Sequence, residues 1–491
     1  MSFFSLDFLV FLLIVFVVNC IIPKEKRYIW LLASSYYFYA TWSFKYITLL
    51  ILVTICSYCA SRYMGSQQQN NTKRKKIVLF ISIIALTLVI VLFKFWNFLS
   101  NGLYKFFGIS DHVTGGLISV IAPIGLSFYI LVAIGYMIDV FRLKCVPEKN
   151  IAKYALFLAF FPSILSGPIE RSNNLLCQIN TPIDFDYDKT KKGLLLIIYG
   201  FFMKLLVSNR LSFIVDATFS NYCEQTGATM AFAVVLYGIQ LYTDFAGYSC
   251  IAVGIGKVLG YELLENFKQP YFSLSIKQFW NRWHISLSSW LKDYIYIPLG
   301  GNRKRKVLQY INLMITFLVS GVWHGTGMQF ILWGGLHGIY QVFSRILEPF
   351  IIFSHKKSVI NRDTFSFRLL QAIITFTLVD YAWLFFRAPS IEVGIDITKK
   401  MICNFNLGDT LLYKLYLVGF DSDRFNILLI EMVFVLIVDL LHENNISIVN
   451  LLNHQNKAFR WLTYIIAILA IIIGVIHDYG LDASSFIYTK F

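Results

Sequence analysis

The amino-acid sequence predicts an all-α integral membrane protein, a polytopic bundle of about 11–13 membrane segments. Hydrophobic residues form 57% of the 491 residues and charged residues only 14%, whereas soluble domains usually carry about 25% charged residues. Apolar windows long enough to cross a bilayer recur from end to end. Because no long polar stretch separates them, we interpret residues 1–491 as a single membrane domain.

Seven apolar windows are the clearest membrane-spanning candidates: 8–22, 77–99, 116–140, 307–323, 367–386, 425–441 and 460–476. Six weaker windows lie at 28–43, 45–62, 152–166, 193–209, 229–246 and 328–347. Because irregular backbone at membrane depth must be buried in protein or line a cavity, we expect some re-entrant helices where Pro and Gly interrupt the windows. The first window lacks a basic start and a small-residue cleavage site, which indicates a retained first span.

Basic residues give the chain a net charge of +15. They gather in short clusters at 24–27, 73–76 and 303–306, between the apolar windows. The positive-inside rule explains such clusters, so we place them in the cytoplasm with the N-terminus outside. The clusters do not indicate nucleic-acid binding, and membrane lipids are the expected partners.

The cysteine spacing does not indicate a metal or redox centre. Eight cysteines are scattered along the chain, and Cys56 and Cys59 form a CxxC pair inside an apolar window. A zinc or redox site would need a second pair or a strand–helix–strand context. We therefore expect no metal and no bound cofactor.

The segment 243–338 carries three of the eight histidines: His284, His324 and His337. A 17-residue apolar run, 307–323, leads from the basic cluster to His324. A helix of that length rises about 26 Å, against a hydrocarbon thickness of about 30 Å. His324 should therefore lie inside the membrane or near its far boundary, where an ionisable residue is a candidate functional group. The alternative is a structural histidine that hydrogen-bonds between helices.

Acyl transfer to a hydroxyl suits a histidine in such surroundings. A desolvated imidazole stays neutral and can remove the hydroxyl proton during attack on a thioester carbonyl. His324 and His337 are too far apart for an HExxH metal site. Ser288 and Ser289 lie outside any GxSxG nucleophile elbow, so a serine hydrolase is not favoured.

His284 lies in the aromatic segment WNRWHISLSSW, among Trp280, Trp283 and Trp290. This pattern indicates an amphipathic interfacial segment anchored by tryptophan. A direct catalytic role for His284 and a role in orienting the segment both stay open at this point. His337, on the following apolar window, is better explained as a structural or supporting residue.

A basic belt of Arg282, Lys292, Arg303 and Lys304 surrounds the same segment. Guanidinium and ammonium groups pair with phosphates, which a thioester donor such as acetyl-CoA carries. Positive-inside bias and contact with lipid headgroups are the alternative explanation for these residues.

A series of motifs extends over nearly the whole chain: PIGLSFYIL at 123–131, YMIDVFR at 136–142, FPSILSGPIER at 161–171, YTDFAGYSCIAVGIGKVLG at 242–260, ENFKQPYFSLSIKQFWNRWHISLSSWLKDYIYIPLGGNRK at 265–304, SGVWHG at 320–325, WGGLHG at 333–338, LFFRAP at 384–389 and SSFIYTKF at 484–491. In these motifs the chain resembles the membrane-bound O-acyltransferase family, and within it the bacterial alginate O-acetyltransferase branch. The stretch WHISLSSWLKDYIYIPLGGNR is specific. One departure is the sequence TGMQFILW after WHG, which we expect to affect acceptor or partner choice rather than catalysis.

The resemblance implies a ring of helices around a tunnelled centre in the bacterial cytoplasmic (inner) membrane. It implies transfer of acetyl from a cytoplasmic thioester, acetyl-CoA or another, outward to an extracytoplasmic glycan acceptor. A separate secreted or periplasmic acyltransferase is the implied partner. Alginate gives the branch its name, but no motif in this chain specifies the sugar.

The resemblance also implies roles for individual residues. The family's catalytic histidine matches His324, and its second polar position matches His284. Contacts to the substrates are expected from five residues of the same segment: Arg282, Trp283, Asp293, Tyr294 and Trp323. Arg303 and Lys304 are the expected contacts to the phosphates of the donor.

Two alternatives to acetyl transfer onto a glycan stay open. The related D-alanine transfer protein moves an aminoacyl group from a carrier-protein thioester to teichoic acid, and the WNRWHISLSSWLKDY form favours the acetyl branch over it. A lipid or solute transporter without covalent chemistry belongs to another class. No internal repeat is visible, which argues against a transporter built from inverted repeats.

Overall fold

A computed structural model describes residues 1–66, 72–107, 123–357, 364–406 and 422–477. Within these ranges the regular secondary structure is helical, and no strand occurs in them. The predicted all-α class is therefore confirmed. The start of the predicted window 116–140, as far as residue 122, and the terminal motif 484–491 lie outside the described residues.

The chain divides into two compact units. The first comprises Met1–Leu194 and Ile251–Leu264, and the second comprises Leu195–Cys250 and Glu265–Phe491. Compactness alone does not decide how many domains a membrane bundle contains, so the single-domain interpretation of 1–491 stays a prediction.

The described part of the first unit is built mainly from apolar helices. They are α1 (Leu6–Ile21), α2 (Arg27–Ser43), α3 (Ile47–Ser66), α4 (Thr72–Phe107), α5 (Leu126–Phe141), α6 (Ile151–Ala159), α7 (Phe161–Ile164) and α8 (Cys177–Asn180).

Aromatic packing holds the start of this unit together. Phe8 of α1, Phe38 of α2 and Phe161 of α7 pack with ring centroids 5.6–6.4 Å apart. Gly125 takes a positive φ of 78° before α5, and a Cβ there would lie 2.3 Å from the carbonyl oxygen of Ile164. Only glycine permits both this conformation and this close backbone approach.

The predicted window 152–166 is not one continuous helix. α6 ends at Ala159, and α7 begins at Phe161 with Pro162 in its first turn. Proline has no N–H to donate to the preceding turn, so a helix readily breaks before it.

The second unit is also helical in its described part. Its helices are α10 (Asn209–Ser220), α12 (Ile276–Arg282), α13 (Ile285–Leu291), α14 (Lys306–His324), α15 (Met328–Lys357), α16 (Phe365–Arg387), α17 (Ile391–Cys403), α18 (Ser422–Glu443), α19 (Ile448–Asn453) and α20 (Lys457–His477). Two more, α9 (Tyr187–Phe201) and α11 (Gly227–Val258), belong partly to each unit.

Two buried ion pairs link helices of the second unit. Lys204 lies in the π-helical turn between α9 and α10, and its ammonium is 2.6 Å from the carboxylate of Asp244 on α11. Arg210 of α10 is 2.6 Å from the carboxylate of Glu431 on α18. Lipid offers little hydrophobic drive for helix association, so polar contacts of this kind help to fix which helices are neighbours.

Eight helical segments in the described part of the chain are long and apolar enough to cross a membrane. They are Lys24–Ser66, Thr72–Trp96, Tyr187–Ser220, Gly227–Val258, Lys306–His324, Phe365–Arg387, Ser422–Glu443 and Lys457–His477, and Leu6–Ile21 and Leu126–Phe141 are shorter apolar helices. The predicted polytopic membrane class is therefore confirmed. The windows 28–43 and 45–62 fall together in the first segment, and α15, which contains the window 328–347, is not among the eight.

Candidate active site

The hairpin of α14 and α15 places His324. His324 is the last residue of α14 and is buried, with 3% of its surface exposed. Two glycines let the helices approach backbone to backbone. A Cβ on Gly321 would lie 2.3 Å from the carbonyl oxygen of Phe330, and one on Gly334 would lie 2.4 Å from that of Phe317. The glycines of SGVWHG and WGGLHG therefore fix the geometry of the hairpin that carries the histidine.

Aromatic rings surround the imidazole of His324. Its ring centroid lies 4.8 Å from Trp323, 4.9 Å from Trp333 and 5.3 Å from Phe386, each at a steep interplanar angle. The rings of Trp323, Trp333 and Phe386 therefore shield the imidazole from solvent on these sides.

His284 occupies the corner between α12 and α13, with a positive φ of 42°. Asn266 holds this corner: its backbone oxygen accepts the N–H of Ile285, and its side-chain oxygen accepts the hydroxyl of Ser286 at 2.6 Å. The other end of the Asn266 amide donates to Ser249 of α11 at 3.1 Å. Burial lowers the pKa of His284 to about 3, so the imidazole of His284 is neutral at ordinary pH.

Trp323 joins the two histidines. Its ring centroid lies 4.8 Å from that of His324 and 6.2 Å from that of His284. On its other side His284 packs edge-on against Phe245 of α11, at 4.7 Å. The structure therefore brings together three of the residues predicted from sequence, although His284 lies 39–40 positions before Trp323 and His324.

Trp283 lies deeper in the aromatic core, 1% exposed, with its ring 5.0 Å from Trp383 and 5.0 Å from Phe267. Trp383 in turn stacks on Trp333 at 5.5 Å, and Trp333 contacts His324. Trp283 therefore does not contact the cage rings directly but is linked to Trp333 and Phe386 through Trp383. Its predicted contact with substrate stays a prediction.

Arg282 forms a bidentate ion pair. Its two terminal nitrogens lie 2.6 and 3.1 Å from the carboxylate of Glu443 on α18, and one also donates to the carbonyl oxygen of Gln269. The guanidinium is thus used to tie the segment before His284 to α18. The predicted role of Arg282 in substrate contact stays untested.

The remaining predicted residues lie at the other end of α14. Asp293 and Tyr294 sit in the π-helical turn Lys292–Tyr296, where the ring of Tyr294 packs on Trp290 at 5.1 Å. Arg303 and Lys304 are exposed just before α14 begins. The helix rises about 27 Å between its ends, so Arg303 and Lys304 are placed for distal parts of a ligand and not for the group that reacts at His324.

A cavity of about 460 Å³ opens between these two ends. Three cationic side chains line it, namely Lys277, Lys292 and Arg345, and the described lining includes no carboxylate. Arg345 is oriented by hydrogen bonds to Tyr296 at 3.2 Å and to the side-chain oxygen of Asn302 at 3.1 Å. A site with these charges favours a ligand that carries phosphate.

The far wall of the cavity contains Ser320, Phe317 and Trp280. Ser320 precedes His324 by one helical turn, and residues at this spacing are neighbours on the same face of a helix. Its hydroxyl is fully buried and has no hydrogen-bond partner within the described protein. The cavity therefore ends close to His324, on the face of α14 that carries it.

Sequence reasoning did not find several of these residues. Lys277 lies in the motif 265–304, but Arg345 is 68 residues later and lies outside the quoted motifs, so nothing in the sequence brings the two to one cavity. Trp333, whose ring touches His324, His337 and Trp383, was seen only as part of WGGLHG. Ser320 could have been found from its spacing of four residues before His324 on a predicted helix.

A caged histidine on a membrane helix, beside a cationic cavity, is the arrangement expected of a membrane-embedded acyltransferase. The family comparison agrees, since residues 36–385 match the model of the membrane-bound O-acyltransferase family. The chain belongs to this family. It is an O-acyltransferase, and the predicted family and enzyme class are confirmed.

Curated relatives act on several different acceptors. A "Probable alginate O-acetylase AlgI" from Pseudomonas syringae pv. tomato is 35% identical over 80% of this chain and 72% of its own length. A "Peptidoglycan O-acetyltransferase" from Helicobacter pylori is 30% identical, over 80% of this chain and 76% of its own. A "Teichoic acid D-alanyltransferase" from Bacillus subtilis is 27% identical over 66% of this chain and 81% of its own.

Proposed function

We propose that this protein takes an acetyl group from a cytoplasmic thioester and passes it outward for O-acetylation of an extracytoplasmic polysaccharide. The observation that carries the proposal is the position of His324, caged by aromatic rings one helical turn beyond the end of a cationic cavity. The similarity to a probable alginate O-acetylase and to a peptidoglycan O-acetyltransferase supports acetyl as the group and a glycan as the acceptor class.

In the proposed mechanism His324 is the general base. The acceptor hydroxyl oxygen attacks the carbonyl carbon of the thioester while the imidazole takes the hydroxyl proton. The tetrahedral intermediate then collapses, the C–S bond breaks, and the imidazolium returns the proton to the leaving thiolate. The products are an ester and a free thiol, so the histidine is regenerated without a metal or another reactant.

His284 is proposed to assist by position. Its neutral ring lies against Trp323, which packs on His324, and the Asn266 network holds the corner rigid. Such a neighbour keeps the tryptophan and the catalytic imidazole in one orientation, which general-base catalysis requires.

The cationic cavity is proposed to bind the donor. Lys277, Lys292 and Arg345 would pair with phosphates, and the apolar wall at Trp280 and Phe317 would receive the acyl end. Arg303 and Lys304, exposed beyond the cavity, would meet the most distal phosphate. The thioester donor is a substrate that binds and leaves in each turnover, and no resident cofactor is proposed.

The membrane and the partner complete the proposal. We place the protein in the bacterial cytoplasmic (inner) membrane, with the basic clusters inside. Because the reaction centre is enclosed among membrane helices, a polymer would not enter it whole. A separate secreted or periplasmic acyltransferase would therefore receive the acetyl group and modify the glycan.

The test of His324 compares His324→Ala with His454→Ala, which changes an exposed histidine outside the site. Surface glycan from cells that carry each variant is hydrolysed, and ester-linked acetate is measured alongside membrane insertion. His324→Ala should lower acetate at least about 100-fold, since a positioned general base typically contributes that much or more. His454→Ala should match wild type. Wild-type acetylation in an inserted His324→Ala protein would contradict the assignment.

Donor choice is tested with purified protein in liposomes. Acetyl-CoA and a D-alanyl carrier protein are offered separately, each with a soluble oligosaccharide that supplies the acceptor hydroxyl, and release of free thiol is followed. Release from acetyl-CoA is expected. Release only from the carrier protein would replace the proposal with D-alanyl transfer, the activity in the name of the Bacillus subtilis relative.

A further inference from the structure

We infer that Trp280, held by His337, limits the acyl chain that this enzyme can transfer to the two carbons of acetyl. The inference rests on the proposed function, because it assumes that the acyl end of a thioester lies at the far wall of the cavity. It assigns a specificity role to Trp280, which the proposed function uses only as apolar wall, and to His337, which the proposed mechanism does not use.

Trp280 forms the part of the cavity wall that faces the histidine cage. It lines the cavity together with Phe317, to which its ring is packed edge-on at 5.2 Å. On its other side its ring centroid lies 5.9 Å from Trp333, and Trp333 lies 4.9 Å from His324. Neither His324 nor Trp333 is among the described residues that line the cavity. The indole of Trp280 therefore borders the donor space on the side of the cage.

A single hydrogen bond fixes the rotamer of Trp280. Its indole N–H donates to Nδ1 of His337 on α15, at 3.2 Å. Since Nδ1 accepts, the proton of the neutral imidazole is on Nε2. His337 is fully buried, and its ring lies parallel to those of Phe279 and Phe317, with interplanar angles of 4° and 24°. His337 therefore cannot turn away, and Trp280 loses its partner if it moves.

This geometry leaves little room for an acyl chain. The carbonyl of the donor has to reach the neighbourhood of His324, and the open space on that side ends at Ser320, Phe317 and Trp280. An acetyl group needs space for one methyl beyond the carbonyl. Each further methylene would have to displace the Trp280 indole and break its hydrogen bond to a buried acceptor. One methylene at a closed apolar wall typically changes discrimination by about 10–200-fold.

The test measures thiol release from acetyl-, butyryl- and hexanoyl-CoA by purified protein in liposomes, with a soluble oligosaccharide that supplies the acceptor hydroxyl. Wild type should prefer acetyl over butyryl by about 100-fold or more. Trp280→Ala should bring the two rates within about fivefold of each other, mainly through a gain with butyryl-CoA. Trp290→Ala is the matched control, because Trp290 is a buried tryptophan of the same segment that does not line the cavity. It should keep the wild-type preference.

Milder variants separate the hydrogen bond from the volume of the ring. His337→Phe removes the acceptor and keeps a flat ring, so it should relax the preference partly. His337→Gln restores an acceptor and should recover most of it. Trp280→Phe combined with His337→Phe should be no more relaxed than Trp280→Phe alone, since both changes remove one bond. If Trp280→Ala does not insert, these variants decide the question.

The outcomes distinguish the two proposals. A wild-type protein that releases thiol from no acyl-CoA would contradict the proposed donor, whatever the variants do. A wild type that uses acetyl-CoA, with an unchanged acetyl preference in Trp280→Ala and His337→Phe, would overturn this inference and leave the proposed function standing.

Discussion

Adjacent glycines in WGGLHG offer a sharp test of how His324 is positioned. A Cβ on Gly334 would lie 2.4 Å from the carbonyl oxygen of Phe317 and 3.3 Å from Cα of Gly321, and both of these are backbone atoms of α14. A Cβ on Gly335 would meet only the end of the Leu318 side chain, at an ordinary 3.9 Å. The two glycines are neighbours in one helix, so the same Gly→Ala change has the same effect on helix propensity at both.

The expected magnitudes follow from these distances. Overpacking against a rigid neighbour lowers the free energy of unfolding by about 1–3 kcal/mol, and alanine returns at most about 1 kcal/mol through helix propensity. Gly334→Ala should therefore destabilise the protein, while Gly335→Ala should be neutral or slightly stabilising. The added methyl group forces α14 away from α15, because its contact with the Phe317 carbonyl oxygen is too short. His324, at the end of α14, shifts with the helix. A misplacement of about 1 Å can lower a catalysed rate about 100-fold.

Thermal unfolding of the detergent-solubilised variants measures the loss of stability. Thiol release from acetyl-CoA, in the presence of the acceptor, measures the loss of catalytic rate. Gly334→Ala should melt earlier and react far more slowly than Gly335→Ala. If the two variants behaved alike in both assays, close packing of α14 on α15 would not be what positions His324.

Three further predictions concern the charged groups. Arg282→Ala and Glu443→Ala should each lower the free energy of unfolding by about 1–3 kcal/mol. A double-mutant cycle should give a coupling energy of similar size between the two residues. Purely additive effects would contradict the ion pair. Lys204→Met should lower the free energy of unfolding by about 3–5 kcal/mol, because it leaves Asp244 buried without its partner charge. Adding Asp244→Leu should restore most of the lost stability. No recovery in the double variant would contradict this account. The pKa of His284 is lowered from 6.5 to about 3, so the unfolded chain binds a proton that the folded one does not, and stability falls as pH drops from 6.5 towards 3. His284→Gln should reduce the pH dependence of the free energy of unfolding by about 1.4 kcal/mol per pH unit. If wild type and His284→Gln lost thermal stability equally between pH 6.5 and 4.5, this prediction would be refuted.

The sequence predicted the place of His324 well, because a hydrophobic run between a basic cluster and a polar motif has few possible structures. The window 307–323 and the observed α14, Lys306–His324, differ by one residue at each end. His284 and Trp323 were predicted as site residues through motif resemblance, but their contact with each other was not predicted. Their contact depends on the corner at His284, whose positive φ no local pattern announces.

Contacts between distant elements were beyond sequence reasoning. Trp280 and His337 are 57 residues apart and belong to different helices, and no periodicity relates them. Arg345 acquires its role only because Asn302 and Tyr296 orient it at the cavity. Arg282 shows the converse problem: its charge suggested a ligand contact, but the side chain also pairs with Glu443, 161 residues later.

The ion pair between Arg210 and Glu431 has a consequence for how the protein is made. The two residues are separated by 221 positions, and a chain grows at about 5–20 residues per second. Glu431 is therefore synthesised about 11–44 s after Arg210. During that interval the helix that carries the arginine has to wait without its carboxylate, either at the insertion machinery or with the guanidinium drawn towards the bilayer surface. The final depth of α10 is thus set late, by the arrival of α18.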